Sequence, residues 1–360
     1  MAKKLAFDRI LFTIVIVLVG FGLTMVYSAS AVVRGVAGGG NALIVKQAAA
    51  AAVGLIAMWI AMHGDYRWLL RRAVIWSLVG GTAVLLILAL LSPELNNSRR
   101  WLFVAGVSFQ PSELAKLAIV VFMAYQMTKY EASGRTWRYL LPALAVAGFM
   151  GALVLAGRDL GGTLMLLAKA GIMLLLAGMP LLVMIVGGIV LGPVLAMAVM
   201  LEPYRRQRFL AFLDPEKDPL GSGFQALQSL IALGSGGWFG LGLGKSMQKL
   251  HFLPYPHSDF VFAIIGEELG FVGALAVVAL FGLLLWRGLR AGFRAPDAFG
   301  KYLAWGLSGA ITVQALVHMS VAASLLPATG VTLPFVSYGG SSLVITLVAS
   351  GLLLNVSQHG

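Results

Sequence analysis

The chain has 360 residues, of which 59% are hydrophobic and 11% charged, with a mean hydropathy of +0.91. A soluble domain is nearer ~45–50% apolar and ~25% charged. A core is filled only once, so a soluble fold of this size would leave much of its apolar surface facing water. Composition therefore excludes a soluble globular enzyme, a disordered chain and a collagen-like fibre, and leaves a polytopic membrane protein with lipid as solvent for the surplus. Lys and Arg number 26 against 14 Asp and Glu, a formal net charge of +12. In a membrane protein that excess points to cytoplasmic-side anchoring and to an anionic lipid, not to nucleic acid. The absence of cysteine removes any disulfide framework or thiolate chemistry.

In chain order, Met1–Arg9 places Lys3, Lys4 and Arg9 ahead of an apolar run. No small-residue cleavage site closes that run, so it reads as an uncleaved first span. A crossing helix needs ~20 mostly apolar residues. The segments that qualify are 10–28, 43–62, 73–92, 112–128, 139–157, 160–177, 181–201, 260–286, 303–324 and 341–356. They are continuously apolar and rich in Leu and Ala, without the alternation of a membrane barrel. The expected fold is all-α and polytopic, a single transmembrane unit over 1–360 with about ten transmembrane helices. With the N-terminus inside, Lys3, Lys4, Arg9, Arg67, Arg71, Arg72, Lys129, Arg135, Arg138, Arg287, Arg290, Arg294 and Lys301 all fall on the inner side. The short outer loops hold only Arg34, Arg99, Arg100 and Arg158. This bias puts both termini in the cytoplasm.

The connection 202–259, between spans seven and eight, breaks the pattern of short loops. It is charged and rich in Gly and Pro, yet it keeps Phe209, Phe212, Leu227, Leu230, Ile231, Leu233 and Trp238, residues of a folded structure. It is expected to be a partly folded, re-entrant or surface-lying loop that covers a site.

Ionisable groups within spans are costly and mark functional candidates. Glu113 and Lys116 follow Pro111, which suits a first helical turn. Three residues apart, they share a helical face and can pair, either to lock span four or to meet substrate. Arg158 and Asp159 stand between spans five and six, as a polar turn or as a carboxylate at a cavity rim. Lys169 lies deeper in span six. In His251–Phe260, Asp259 stands where the long loop re-enters the membrane. Partial desolvation there suits a general base. The alternatives are an N-cap of span eight, or a divalent cation site shared with Glu267 and Glu268. His251 and His257 have no zinc spacing. The Gly-rich stretch 233–245 lacks the Walker pattern, so its glycines read as close backbone turns. Arg205 and Arg208 belong to a basic cluster that, facing a cavity, suits a pyrophosphate. In Leu325–Ser342, two prolines and three glycines interrupt what would otherwise be span; such backbone is tolerated where it lines a cavity. Ser337, Tyr338 and Ser341 there offer hydroxyls to a polar substrate.

Tyr27–Ser30, Arg99–Trp101 with Gln110–Lys116, Asp159–Gly161, Tyr204–Asp218, Gly223–Gly237, His257–Gly270 and Leu325–Ser342 together resemble the SEDS family of bacterial shape, elongation, division and sporulation proteins, over nearly the whole chain. Tyr27–Val32 and Gly330–Pro334 look more like its division branch than its elongation branch. The resemblance implies ten spans in the bacterial cytoplasmic membrane. It also implies polymerisation of lipid II into glycan strands, with no organic cofactor, beside a class B penicillin-binding protein and the division or elongation complex. The family's essential carboxylate falls on Asp259, its span-four Glu and Lys on Glu113 and Lys116, and its aspartate after span five on Asp159. Asp259 would then deprotonate the GlcNAc 4-hydroxyl of one lipid II as that oxygen displaces undecaprenyl pyrophosphate from C1 of the lipid-linked strand, with inversion. Arg205, Arg208, Lys116 or a divalent cation (Mg or Mn) would neutralise the leaving group. Three departures touch spans six and nine: Arg158 for the usual proline, His318-Met319-Ser320 for Asn-x-Gly, and Ser324 for a common glycine. Rival readings are a lipid II flippase, with Glu113, Lys116, Asp159 and Lys169 lining a path, and a non-catalytic scaffold for a penicillin-binding protein.

Overall fold

The computed structural model describes residues 7–30, 39–95, 98–104, 107–134, 137–217, 221, 223–250, 253 and 256–359. Lys3, Lys4, Arg34, Arg135, Asp218 and His251 lie outside them. Twelve α-helices run through the described residues: α1 (Arg9–Ala29), α2 (Gly39–His63), α3 (Arg72–Leu90), α4 (Pro111–Ala132), α5 (Leu140–Ala156), α6 (Leu160–Leu176), α7 (Leu181–Met200), α8 (Pro203–Leu213), α9 (Phe224–Ser235), α10 (Val261–Arg294), α11 (Ala298–Ala322) and α12 (Gly340–Ser357). All but α8 and α9 fall on the ten expected spans, in order. A short antiparallel hairpin, β1 (Leu102–Val104) and β2 (Val107–Phe109), leads into α4, with Leu102 opposite Phe109.

Local chemistry fixes the helix ends. The Asp8 carboxylate accepts from the Ile10 and Leu11 amides at the start of α1, and Asp297 accepts from Gly300 N at the start of α11. Pro111 opens α4 at a position whose amide needs no helical partner.

Length and hydropathy alone qualify α1, α2, α3, α10 and α12 as crossing helices. Helices α7 and α8 form a bent pair, turned by 106°. Helices α4 and α11 carry Glu113, Lys116, Gln314 and His318, and both are buried along most of their length. They form the interior of the bundle, packed against α6 and α12. Polar groups are tolerated there because protein, not lipid, surrounds them. Small residues allow close packing where no hydrophobic drive operates between helices in lipid. On α12, a Cβ added at Gly351 would stand 2.4 Å from Met58 O of α2.

The two ends of the bundle are tied differently. At one end, ion pairs join Asp8 to Arg287, Arg67 to Asp297 and Glu131 to Lys301, so the loops expected on the inner side lie together. At the other, the hairpin meets α12: Ser341 Oγ accepts from Gln110 N and donates to Ser108 O.

The described residues of the loop 202–259 are folded. After α8 and α9, residues 236–250 form a strap that crosses α10 where Gly270 (φ 68°, ψ −168°) breaks the helix. Leu241 N and Gly242 N donate to Glu267 O and Glu268 O, and Phe271 N and Val272 N donate back to Gly237 O and Trp238 O. The Gly-rich stretch is thus a backbone-to-backbone crossing, which explains its glycines without a phosphate.

Candidate active site

Asp259 lies just before α10, but it does not cap it. The N-cap position is Phe260, which makes no side-chain cap bond. The Asp259 carboxylate is partly buried, and no described residue donates a hydrogen bond to it. Its neighbours come from the loop between α11 and α12. A Cβ added at Gly330 would stand 3.6 Å from Asp259 Oδ2, so this exposed glycine lies beside the carboxylate.

The segment that carries Asp259 is clamped to this loop. Ser337 Oγ donates to Ser258 O at 2.6 Å and accepts from Leu333 N at 2.9 Å. Tyr338 N donates to His257 O at 2.8 Å, and the two rings meet edge-on at 5.6 Å. The Ser337 hydroxyl is thereby fully engaged inside the protein, whereas no described residue partners the Tyr338 hydroxyl. Burial raises the Tyr338 phenol above its ordinary value, so it stays protonated as a donor. Burial likewise pushes the His257 imidazole down, partly offset by the charge of Asp259.

Arg208 reaches the same loop, with Nη1 3.3 Å from Ala328 O. Arg205 instead folds back on α7, donating to Ala198 O at 3.0 Å. The structure thus brings Arg208, Ser337 and Tyr338 together with Asp259 through one loop, while Arg205 is held elsewhere.

Glu113 and Lys116 form a second group. Lys116 Nζ lies 2.7 Å from Glu113 Oε1, and both residues are buried. With Lys169, Gln314 and Thr346 they line a cavity of about 30 Å³ inside the bundle, room for about two waters. Lys169 Nζ donates to Gln314 Oε1 at 2.9 Å, and Gln314 Nε2 donates to Thr332 O at 3.1 Å. One turn further along α11, the His318 ring bonds Val331 O at 2.7 Å. Gln314 and His318 therefore stitch residues 331–332 to α11 and link the buried cations to the loop beside Asp259. The interruption at 325–342 pointed to a buried loop, but nothing in its spacing identified Gln314 as its anchor.

Asp159 is a structural hub. It caps α6 through Gly162 N at 2.8 Å and accepts from Gln110 Nε2 and Ser112 Oγ, each at 3.2 Å. Arg100 lies 3.6 Å away. Of the two readings of this aspartate, the geometry favours the turn-and-cap role.

Glu267 and Glu268 do not join Asp259 in a cation site. Glu267 accepts from Ser246 and Met247, and Glu268 is held by Ser28 and Lys249. Among the described residues no cluster of three or more His, Cys, Asp or Glu is placed to hold a metal.

The sequence model of the family described as "Cell cycle protein", which groups FtsW, RodA and SpoVE, matches residues 8–360. A protein named probable peptidoglycan glycosyltransferase FtsW, from Geobacter sp. (strain M18), is 40% identical over 364 residues, covering 100% of this chain and 99% of its own. Stage V sporulation protein E of Bacillus subtilis (strain 168) is 40% identical, with 99% and 98% covered. Among solved structures, one titled "Structural coordination of polymerization and crosslinking by a peptidoglycan synthase complex" aligns with a TM-score of 0.79 at 34% identity, over 98% of both chains. Rod shape determining protein RodA of Thermus thermophilus aligns at 0.72 and 30% identity, over 98% of this chain and 97% of that one. Full-length coverage by both sequence and fold makes the multi-pass helical protein described above, FtsW-like in sequence, a member of the FtsW/RodA/SpoVE family.

Proposed function

We propose that the protein polymerises lipid II into peptidoglycan glycan strands at the outer face of the bacterial cytoplasmic membrane, in division or cell-shape maintenance. The observation that carries this reading is the Asp259 carboxylate: partly buried, without a hydrogen-bond donor among the described residues, uninvolved in capping α10, and beside the exposed Gly330. A base needs that freedom, because its lone pair must meet an incoming hydroxyl. The acceptor 4-hydroxyl gives its proton to Asp259 while its oxygen bonds C1 of the donor sugar. The C1–oxygen bond to undecaprenyl pyrophosphate breaks with inversion. Arg208, beside the same loop, is the cation best placed for the leaving group. Glu113 and Lys116 act from the interior, through Lys169, Gln314 and Thr332, by holding the loop against which Asp259 sits. Tyr338 offers its free hydroxyl to the sugar. Asp159, Ser337 and Ser341 serve binding indirectly by fixing the segments around the site, and Arg205 by fixing α8 on α7.

Among the described residues no group of three or more His, Cys, Asp or Glu is placed to hold a metal. A divalent cation (Mg or Mn) arriving with the pyrophosphate is the proposed form of any metal involvement, and polymerisation measured with and without chelator tests this. The clustering of the inner ion pairs at one end of the bundle supports cytoplasmic termini, and cysteine-accessibility labelling at each end tests that orientation. A class B penicillin-binding protein is the proposed partner, supported by the similarity to a chain from a peptidoglycan synthase complex.

The decisive experiment supplies labelled lipid II to purified protein, with and without that partner. Glycan polymer that disappears with Asp259→Ala is the expected result. Lipid movement without polymer, unaffected by that change, would instead establish the flippase. A silent scaffold would give neither.

A further inference from the structure

Three buried polar atoms in the shell of Asp259 have no hydrogen-bond partner among the described residues: His318 Nε2, His257 Nδ1 and Thr329 Oγ1. His318 is the most informative. It is 1% exposed, and its Nδ1 lies 2.7 Å from Val331 O. A carbonyl oxygen only accepts, so Nδ1 carries the hydrogen. In the neutral ring that leaves Nε2 as a bare lone pair, an acceptor without a donor. Buried groups in this condition are rare and unfavourable, and they call for a partner that the described residues do not supply.

The position of this lone pair narrows what the partner is. Val331 follows Gly330, the residue that faces Asp259 Oδ2. The Asp259 charge acts on both the His257 and His318 rings. Thr329 adjoins Gly330, and His257 is two residues before Asp259, so all three unpaired atoms belong to segments next to this carboxylate. A pyrophosphate oxygen is also an acceptor and would meet the lone pair with repulsion. A hydroxyl donor fits. The sugar whose 4-hydroxyl reaches Asp259 carries further hydroxyls at C3 and C6.

We propose that His318 Nε2 accepts a hydrogen bond from a second hydroxyl of the acceptor sugar, at C3 or C6, and so binds and orients the ring whose 4-hydroxyl Asp259 deprotonates. This rests on the glycosyl-transfer reading above. In this proposal the substrate approaches past Gly330, which is exposed and left-handed at φ 68°.

The test separates the two nitrogens. In His318→Asn, the side-chain amide nitrogen stands in for Nδ1 and keeps the bond to Val331 O, but nothing reaches the position of Nε2. Wild type, His318→Asn and Asp259→Ala are assayed with lipid II and with lipid II analogues whose GlcNAc is 3-deoxy or 6-deoxy. Polymer from wild type and none from Asp259→Ala tests the glycosyl-transfer reading by itself, independently of His318. For His318 the expected result is an unchanged Tm and a KM for lipid II raised roughly three- to tenfold, with kcat less affected. One deoxy analogue should be penalised on wild type and not further penalised on His318→Asn. Equal relative losses on both proteins would mean that Nε2 meets only water, and the proposal would be overturned. Should His318→Asn fold poorly, wild type alone still decides against it if neither analogue is a worse acceptor than lipid II.

Discussion

Lys249 Nζ lies 2.8 Å from Glu268 Oε1 and 3.2 Å from Ser28 Oγ, with the two charged side chains 3% and 0% exposed. This contact joins the end of α1, the strap 236–250 and the helix α10 just before its break. Removing one member of a buried pair strands the other charge, at a cost of about 3–5 kcal/mol. Lys249→Ala should therefore lower Tm sharply and make the strap sensitive to limited proteolysis, while Lys249→Arg should retain part of the stability. A Tm for Lys249→Ala within about one degree of wild type would show that the pair does not hold the strap.

Two glycines in and before the strap play different parts. Gly240 has φ +80°, and a Cβ there would stand 2.2 Å from Glu268 O, a backbone atom that cannot rotate away. Gly240→Ala combines left-handed strain of about 1–2 kcal/mol with a clash at the crossing. Gly234 lies in α9 with nothing within 4 Å of its would-be Cβ. Gly234→Ala should stabilise by up to about 1 kcal/mol, because alanine is the better helix former. Thermal melts in detergent should move in opposite directions for the two variants.

The spans were legible because lipid demands long apolar runs, and α1, α2 and α3 obey that demand plainly. Glu113 and Lys116 were legible as a pair because a spacing of three fixes their geometry within one helix. Asp259 stood out at the mouth of span eight, but whether it capped that helix was not decidable locally: capping depends on which way one carboxylate turns, and the structure gives the cap position to Phe260. The partners of Asp159, Glu267 and Glu268 were beyond reach, since Gln110, Ser246, Lys249 and Ser28 lie between 19 and 240 residues away. The strap's glycines suggested tight turns, whereas most of what they permit is contact with a distant helix.

Asp159 and Asp259 should fail in different ways. Asp159→Ala removes the α6 cap, worth about 0.5–2 kcal/mol, and leaves Gln110, Ser112 and Arg100 without their shared acceptor. Its loss of polymerisation should track a lowered Tm and recover in part when the assay is cooled. Asp259→Asn removes a carboxylate with no hydrogen-bond partner among the described residues, so its Tm should match or exceed wild type while polymer is lost at every temperature. Equal melting losses in the two variants would contradict the assignment of separate roles.

His257 supplies a pH dependence whose sign follows from its surroundings. Burial pushes its imidazole below the ordinary value of about 6.5, and the Asp259 charge only partly offsets this. The unfolded chain therefore takes up a proton at this residue at a higher pH than the folded protein does. Its contribution to stability is fully present above about pH 6.5 and is lost as pH falls from there through the folded value. His257→Gln keeps the backbone carbonyl that accepts from Tyr338 N and removes the titrating ring. The Tm of wild type should thus fall more steeply than that of His257→Gln between about pH 7 and 5. Parallel curves would show that the fold tolerates the charged ring, and that this imidazole is not held neutral beside Asp259.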